Sequence, residues 1–432
     1  MFVPIRFLGR DTLQKSILVP LALACGSLGL SACTHAPVSQ SASVTSPGFS
    51  PRETEPRLPP VDPENLTPEQ AEMLAARADF NIYKTLAHHV DLYHNWSPLG
   101  RMLLENTAVD LRHREMAMLR MGWLCQAEYE WAQHARIAHD SVGMTPDEIR
   151  AIAVGVDAGG WSELERAVLN MADELRYNGR VSDATWRVLT SHYTEPQTVG
   201  LVYTALQYQL VSMALNSLGI QLDPELEFRL PAGLPMPELA GMVEGDGDYP
   251  VRVEALRVSE MSPAMVALVP ERLRGAESLP NYYGVLAQFP QYLSAQGGFA
   301  RFLLGQTDLT AREREILILR TAALTGGAYE WAHHVGRAEE AGLSEMEILA
   351  LGHEASGSDW SQTENLLIAA ANDLRREAFI TDSVYAGLKA NYSDQQIVEM
   401  IYLVGGYSMF SSVMNTLGTQ IEPGYPALRA VN

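Results

Sequence analysis

The strongest constraint on this chain is a stretch that it contains twice. Residues 112–134 read RHREMAMLRMGWLCQAEYEWAQH, and residues 312–334 read REREILILRTAALTGGAYEWAHH. At an offset of 200, Arg114, Glu115, Leu119, Arg120, Tyr129, Glu130, Trp131, Ala132 and His134 recur as Arg314, Glu315, Leu319, Arg320, Tyr329, Glu330, Trp331, Ala332 and His334. Each copy keeps a Glu, fourteen intervening residues, a second Glu, three residues and a His. A repeat that holds its ionisable residues while its apolar neighbours vary predicts a duplicated site as well as a duplicated fold.

The surrounding punctuation is helical. Thr67 with Gln70 forms a capping box, with Pro68 at the first helical position. Gly143-Met144-Thr145-Pro146 stops one helix and starts the next, as Gly342-Leu343-Ser344-Glu345 does in the second copy. Trp161-Ser162 and Trp360-Ser361 open a further helix in each copy. The last helix carries Tyr203, Tyr208, Asn216 and Gly219, matched by Tyr402, Tyr407, Asn415 and Gly418. No alternating apolar run is long enough for a sheet. The expectation is an all-α fold of two tandem helical repeats with about six helices each. The first spans 61–230 and the second 276–432. The Pro- and Gly-rich stretch 231–275, with its acidic run Glu244 to Asp248, is expected as a solvated linker.

The N-terminus is expected to lie outside the fold. Arg6, Arg10 and Lys15 precede an apolar run from Ile17 to Leu30 that closes on Leu30-Ser31-Ala32-Cys33. That ending resembles a bacterial lipobox, so residues 1–33 are expected as a lipoprotein signal peptide with Cys33 as the lipidated residue. Residues 34–60, rich in Ser, Thr and Pro, then form a flexible tether. Thr34 rather than Asp after the cysteine predicts, by analogy with enteric bacteria, an outer-membrane location facing the periplasm. Cys125 is the one other cysteine of the mature chain, which excludes a disulfide framework. A net charge of −21 argues against a nucleic-acid partner.

Glu130 and His134 are four residues apart and share a helix face. Glu115 reaches them only if the chain turns between, at Gly122 to Ala127, and at Leu324 to Ala328 in the second copy. Two carboxylates and an imidazole around a dry pocket make a general acid–base set: Glu115, Glu130 and His134, repeated as Glu315, Glu330 and His334. Arg120 and Arg320 are candidates to grip a substrate carboxylate. The alternative is structural: Glu115 paired with Arg120 on a helix surface, and Glu130 with His134 as a local pair. His88 and His89 are adjacent, so one faces inward and one faces water. No third ligand stands at a metal-site spacing, and the esterase elbow, phosphate loop and dinucleotide fingerprint are absent, so neither metal nor cofactor is expected.

Each copy resembles the carboxymuconolactone decarboxylase and alkylhydroperoxidase D-like superfamily, through Glu-Tyr-Glu-Trp-x-x-His and its context over roughly residues 65–225 and 280–424. The resemblance implies small all-helical units that assemble as trimers or hexamers. In the peroxidase branch two cysteines three apart precede the histidine. Here those positions hold Ala127 and Glu130, then Gly327 and Glu330, and Cys125 is two residues out of register. A peroxiredoxin-like activity would therefore follow from the fold label alone, without its thiols. The decarboxylase-like branch keeps Glu and His. It implies a cofactor-free lyase or isomerase acting on a small lactone or unsaturated acid. The alternative is a non-catalytic periplasmic lipoprotein that binds a ligand or serves as a scaffold. For assembly the duplication implies an intramolecular pseudo-dimer, and three chains a homotrimer.

Overall fold

The computed structural model describes residues 55–75, 77, 80–105, 108–236, 249–274, 276, 278–353, 359–426 and 428. The expected signal peptide, Cys33, and the tether up to residue 54 lie outside them.

Every regular element among the described residues is helical. Seven helices make the body of the first repeat: α1 Val90–Glu105, α2 Leu111–Leu124, α3 Glu128–Ile137, α4 Pro146–Val154, α5 Glu163–Asn178, α6 Asp183–His192 and α7 Glu195–Leu218. The second repeats the order: α8 Pro290–Gly305, α9 Ala311–Thr325, α10 Ala328–Glu340, α11 Glu345–Gly352, α12 Gln362–Glu377, α13 Asp382–Asn391 and α14 Asp394–Leu417. Capping boxes fix matching starts, Thr145 with Glu148 before α4 and Ser344 with Glu347 before α11. Short helices precede each body, Pro68–Leu74 and Asn81–Leu86 in the first repeat and Asn281–Leu286 in the second.

The core is built on α7 and α14. Every residue from Thr198 to Leu218 is buried, and so is every residue from Ile397 to Leu417. By length and composition α14 could cross a membrane, but its apolar window is wholly enclosed by protein, as in a core helix that is apolar all round. The two helices meet closely: a Cβ added at Gly405 of α14 would sit 2.6 Å from Leu210 Cγ of α7.

The repeats exchange bonds in both directions. Arg176 Nη1 donates to Arg375 O at 2.7 Å, and Arg375 Nη1 returns a bond to Arg176 O at 2.7 Å. Asn216 reaches Ala378 O at 3.0 Å, and Asn415 reaches Gly179 O at 3.2 Å. These side chains satisfy the last carbonyls of helices in the opposite repeat, acceptors that a helix end otherwise leaves open.

Two extended arms add to the exchange, and both lie where the sequence predicts loose chain. Arg57 and Leu58, inside the expected tether, donate backbone N–H bonds to Leu218 O, and the Arg57 guanidinium reaches Ile380 O at 2.6 Å and the Asp382 carboxylate. Arg252 and Val253, inside the expected linker, do the same to Leu417 O, with the Arg252 guanidinium on Val181 O at 2.8 Å and Asp183 at 2.5 Å. Leu58, Val253, Met261 and Val269 are buried. Residues 55–60 and 249–273 thus belong to the packed body. The reason is physical: Arg57–Leu58 and Arg252–Val253 dock by backbone bonds and one guanidinium, which leave no periodic apolar pattern, and the helix Pro263–Leu268 in the second stretch has only 6 residues.

Candidate functional site

Asp110 caps α2 by accepting the Arg112 N–H, and α2 then runs to Leu124. The chain reverses over Cys125, Gln126 and Ala127, with Gln126 in the left-handed region at φ +52 and Ala127 N bonded to Gly122 O at 2.8 Å. Gly326 does the same work at φ +64, with Gly327 N on Ala322 O at 2.8 Å. This turn lays α3 back along α2, and α10 back along α9. Glu115, early in one helix, is thereby brought beside His134, late in the next.

The three residues expected from the spacing meet in each repeat. His134 Nδ1–H donates to Glu115 Oε2 at 2.6 Å, and its Nε2 stands 3.0 Å from Glu130 Oε1. In the second repeat His334 Nδ1–H donates to Glu315 Oε2 at 2.7 Å, while Nε2 lies 3.9 Å from Glu330 Oε2. All six residues are buried. A tyrosine from the core helix stands edge-on to each imidazole: Tyr208 at 4.7 Å from the His134 ring centre, Tyr407 at 5.1 Å from that of His334.

Charge is unevenly shared in this setting. Burial opposes a charged His134, but the adjoining Glu115 and Glu130 carboxylates outweigh it and push its pKa up to about 10. At neutral pH the residue is an imidazolium between two acids. Burial pushes the Glu130 carboxyl up, against the pull of His134, and burial does the same to Glu330. Glu130 Oε1 is a buried acceptor that faces His134 Nε2 at 3.0 Å, and Glu115 Oε1 is buried with Arg114 Nε 3.7 Å away. Removing an ionised carboxylate from water costs roughly several kcal/mol, so a structural pair of this kind is an expensive way to hold two helices together. Among the described residues no group of three His, Cys, Asp or Glu is arranged to hold a metal ion.

The arginines correct the sequence reading. Arg120 makes a two-pronged pair with Asp173, Nε–Oδ1 at 2.6 Å and Nη2–Oδ2 at 2.9 Å, and its Nη1 donates to Ile152 O and Ala153 O. Its guanidinium also lies 5.0 Å from the Trp123 ring centre. Gly155, at φ +85, makes room: a Cβ there would come 2.8 Å from Arg120 Nη2. Arg320 is held by Asn372 Oδ1 at 2.8 Å and Leu351 O at 3.0 Å. Both guanidiniums brace the ends of α4 and α11, and the fork of Arg120 is taken up by Asp173. Glu115 does not pair with Arg120; the nearer cation is Arg114, with Nε 3.7 Å from Glu115 Oε1.

Other expectations divide in the same way. His89 faces inward and bonds Glu399 Oε1 at 2.9 Å across the repeats, whereas His88 lies nearer the surface on Pro59 O. Cys125 is a buried free thiol. Sequence reasoning did not count Tyr208 and Tyr407 as site residues, although their recurrence was visible. It also missed the carboxylates that hold the start of the site helix: Tyr129 OH donates to Asp223 at 2.5 Å, and Tyr329 OH to Glu422 at 3.0 Å.

Comparison with known proteins places this geometry. No curated protein matches the chain. A crystal structure described as an alkylhydroperoxidase AhpD core, an uncharacterized peroxidase-related protein from Ralstonia eutropha JMP134, is similar to it at 19% identity. That similarity covers 40% of this chain and 94% of the other, with a TM-score of 0.36. The carboxymuconolactone decarboxylase family model matches twice, over residues 91–174 and 290–372, so each copy of the Glu–His–Glu set falls inside one match. The chain thus carries two tandem segments that match the carboxymuconolactone decarboxylase family, one in each repeat.

Proposed function

We propose that each repeat holds a cofactor-free acid–base centre of decarboxylase-like lyase or isomerase type, acting on a small lactone or unsaturated acid. The observation that carries this reading is the buried imidazole bonded through Nδ1 to one carboxylate while Nε2 faces a second, found twice. Glu115 and Glu315 fix the ring orientation and leave Nε2 as the working proton position. In a decarboxylation the C–C bond to the carboxylate breaks and its electron pair passes into the conjugated lactone. The Nε2 proton then closes the new C–H bond, and Glu130 or Glu330 carries the returning proton. In an isomerisation the same pair removes and redelivers one proton.

The test is a panel of lactones and β,γ-unsaturated acids offered to the purified protein and to the His134→Gln, His334→Gln double variant. Loss of turnover with an unchanged helical circular dichroism spectrum is expected. Equal turnover would overturn the reading.

Two further proposals concern setting. The sequence supports a lipid anchor at Cys33 in the bacterial envelope, read by incorporation of labelled palmitate and its loss in Cys33→Ala. The reciprocal bonds between repeats support an internal pseudo-dimer, and three such chains a six-unit assembly; light scattering at one chain mass would refute the trimer.

A further inference from the structure

The two repeats differ in what stands behind the site helix. In the second, the hydroxyl of Tyr203 on α7 donates to Gln296 Oε1 on α8 at 3.1 Å, and Gln296 Nε2 donates to the Tyr282 hydroxyl at 2.8 Å. The Tyr282 N–H then donates to the Tyr329 hydroxyl at 3.0 Å, which in turn donates to Glu422 Oε1 at 3.0 Å. Tyr203 and Gln296 are buried. Tyr329 is the second residue of α10 and Glu330 the third. A line of hydrogen bonds thus runs from the core helix of the first repeat, through residue 282, to the first turn of the site helix in the second.

The first repeat has no such line. Ile82 stands where Tyr282 does, Trp96 where Gln296 does, and Tyr402 where Tyr203 does. The Ile82 N–H still bears on the Tyr129 hydroxyl, but its side chain has no donor or acceptor to hold it from behind. Trp96 Nε1 and the Tyr402 hydroxyl are buried without hydrogen-bond partners among the described residues, and their rings meet edge-on at 5.2 Å.

The centres differ in the matching place. Both imidazoles keep their bond to the first glutamate, at 2.6 and 2.7 Å. The second carboxylate, which the first turn of the site helix carries, comes to 3.0 Å at Glu130 but stays at 3.9 Å at Glu330. Burial raises the Tyr282 hydroxyl pKa well above its usual range, with Glu330 and Tyr407 adding to the rise, so the anchor stays neutral.

We infer that Tyr282, anchored by Gln296, is a positioning residue of the second site: through Tyr329 it pins the first turn of α10 and holds Glu330 back from His334. The first site lacks the anchor, and there Glu130 closes on the imidazole. Two centres with the same three residues are thereby held in different geometries. Any consequence for turnover rests on the acid–base reading, but the seat of the carboxylate is measured without a substrate.

The full protein carrying isotope-labelled histidine is examined by nitrogen NMR at neutral pH, with His134→Gln and His334→Gln assigning the two imidazole signals. The groups facing His334 are Glu315 from α9, Tyr407 from α14 and Glu330 of its own helix, with the charges of Arg314 and Arg337 acting on the tyrosine; the test alters none of them. The two Nε2 signals are expected to differ in the wild type. Tyr282→Phe keeps the ring and loses the hydroxyl, and should move the His334 signal toward that of His134, because a nearer carboxylate takes a stronger bond from Nε2–H. The His134 signal should stay in place. Gln296→Leu, which leaves Tyr282 intact but unanchored, should act in the same direction. A line that only held the fold together would lower the thermal midpoint and leave the His334 signal unmoved. That result, coincident signals in the wild type, movement away from the His134 position, or equal movement of both signals would each overturn the inference. The shift stands even where no lactone or unsaturated acid is turned over, which separates a failure here from a failure of the acid–base reading.

Discussion

Set side by side, the two sites show which parts of a duplicated centre are held and which drift. The first is tight, with both imidazole nitrogens close to carboxylates and Gln133 and Ile137 beside them on α3. The second is looser, with one close carboxylate and with His333 drawn away to Glu422 at 2.7 Å. The difference falls on α3 and α10, while the bond from the imidazole to the first glutamate keeps its length in both repeats. The turn sets the geometry of the two-helix hairpin in both repeats, while positions further along the second helix differ, Ile137 in one and Arg337 in the other.

The largest expected effect separates the two centres directly. His134→Gln or His334→Gln should each cost roughly 10²- to 10⁴-fold at its own site, the usual worth of a general acid or base. Total turnover that falls to roughly half in each single variant would mean that the sites share a substrate; loss in one variant alone would assign the reaction to one repeat. Glu115→Ala leaves a buried imidazolium with one carboxylate and should cost about 3 kcal/mol in urea unfolding, with a smaller loss for Glu315→Ala if the looser second site carries less of the stability.

Alkaline pH sharpens the comparison next. His134 has a folded pKa of about 10, raised above its ordinary 6.5, so its contribution to stability is complete below 6.5 and is lost as pH rises through about 10. The wild-type midpoint should fall across that window, and His134→Gln should flatten the fall. The smallest effects lie in the two turns. Gln126 holds a left-handed conformation that glycine adopts freely, so Gln126→Gly should raise stability by about 1 kcal/mol and Gly326→Ala should lower it by a similar amount. Opposite shifts in thermal midpoint are the check, and shifts of one sign would mean that side-chain contacts at Gln126 outweigh its backbone strain.

Much of this was legible because it is local. Helix starts follow from Thr145, Ser344 and Ser361, whose partners stand three residues away. The Glu–His–Glu meeting follows from a turn signal between two helices of known rise. Arg120 was misread because its partner, Asp173, is 53 residues distant and carries no mark that ties it to an arginine. The Arg57 and Arg252 arms were missed for a related reason. They correspond to each other at an offset of 195, outside the register that revealed the repeat, and their acceptors are mostly backbone carbonyls, which every residue has.

Those arms determine how the molecule bears load. Arg57 opens the described chain on its N-terminal side, yet its guanidinium is fastened to Ile380 and Asp382 of the opposite repeat and its backbone to the end of α7. A pull applied there does not first peel away the short helices Pro68–Leu74 and Asn81–Leu86. It passes into the second repeat at Ile380 and Asp382 and into the end of the buried helix α7. A protein held by its N-terminus would hang in part from its far half.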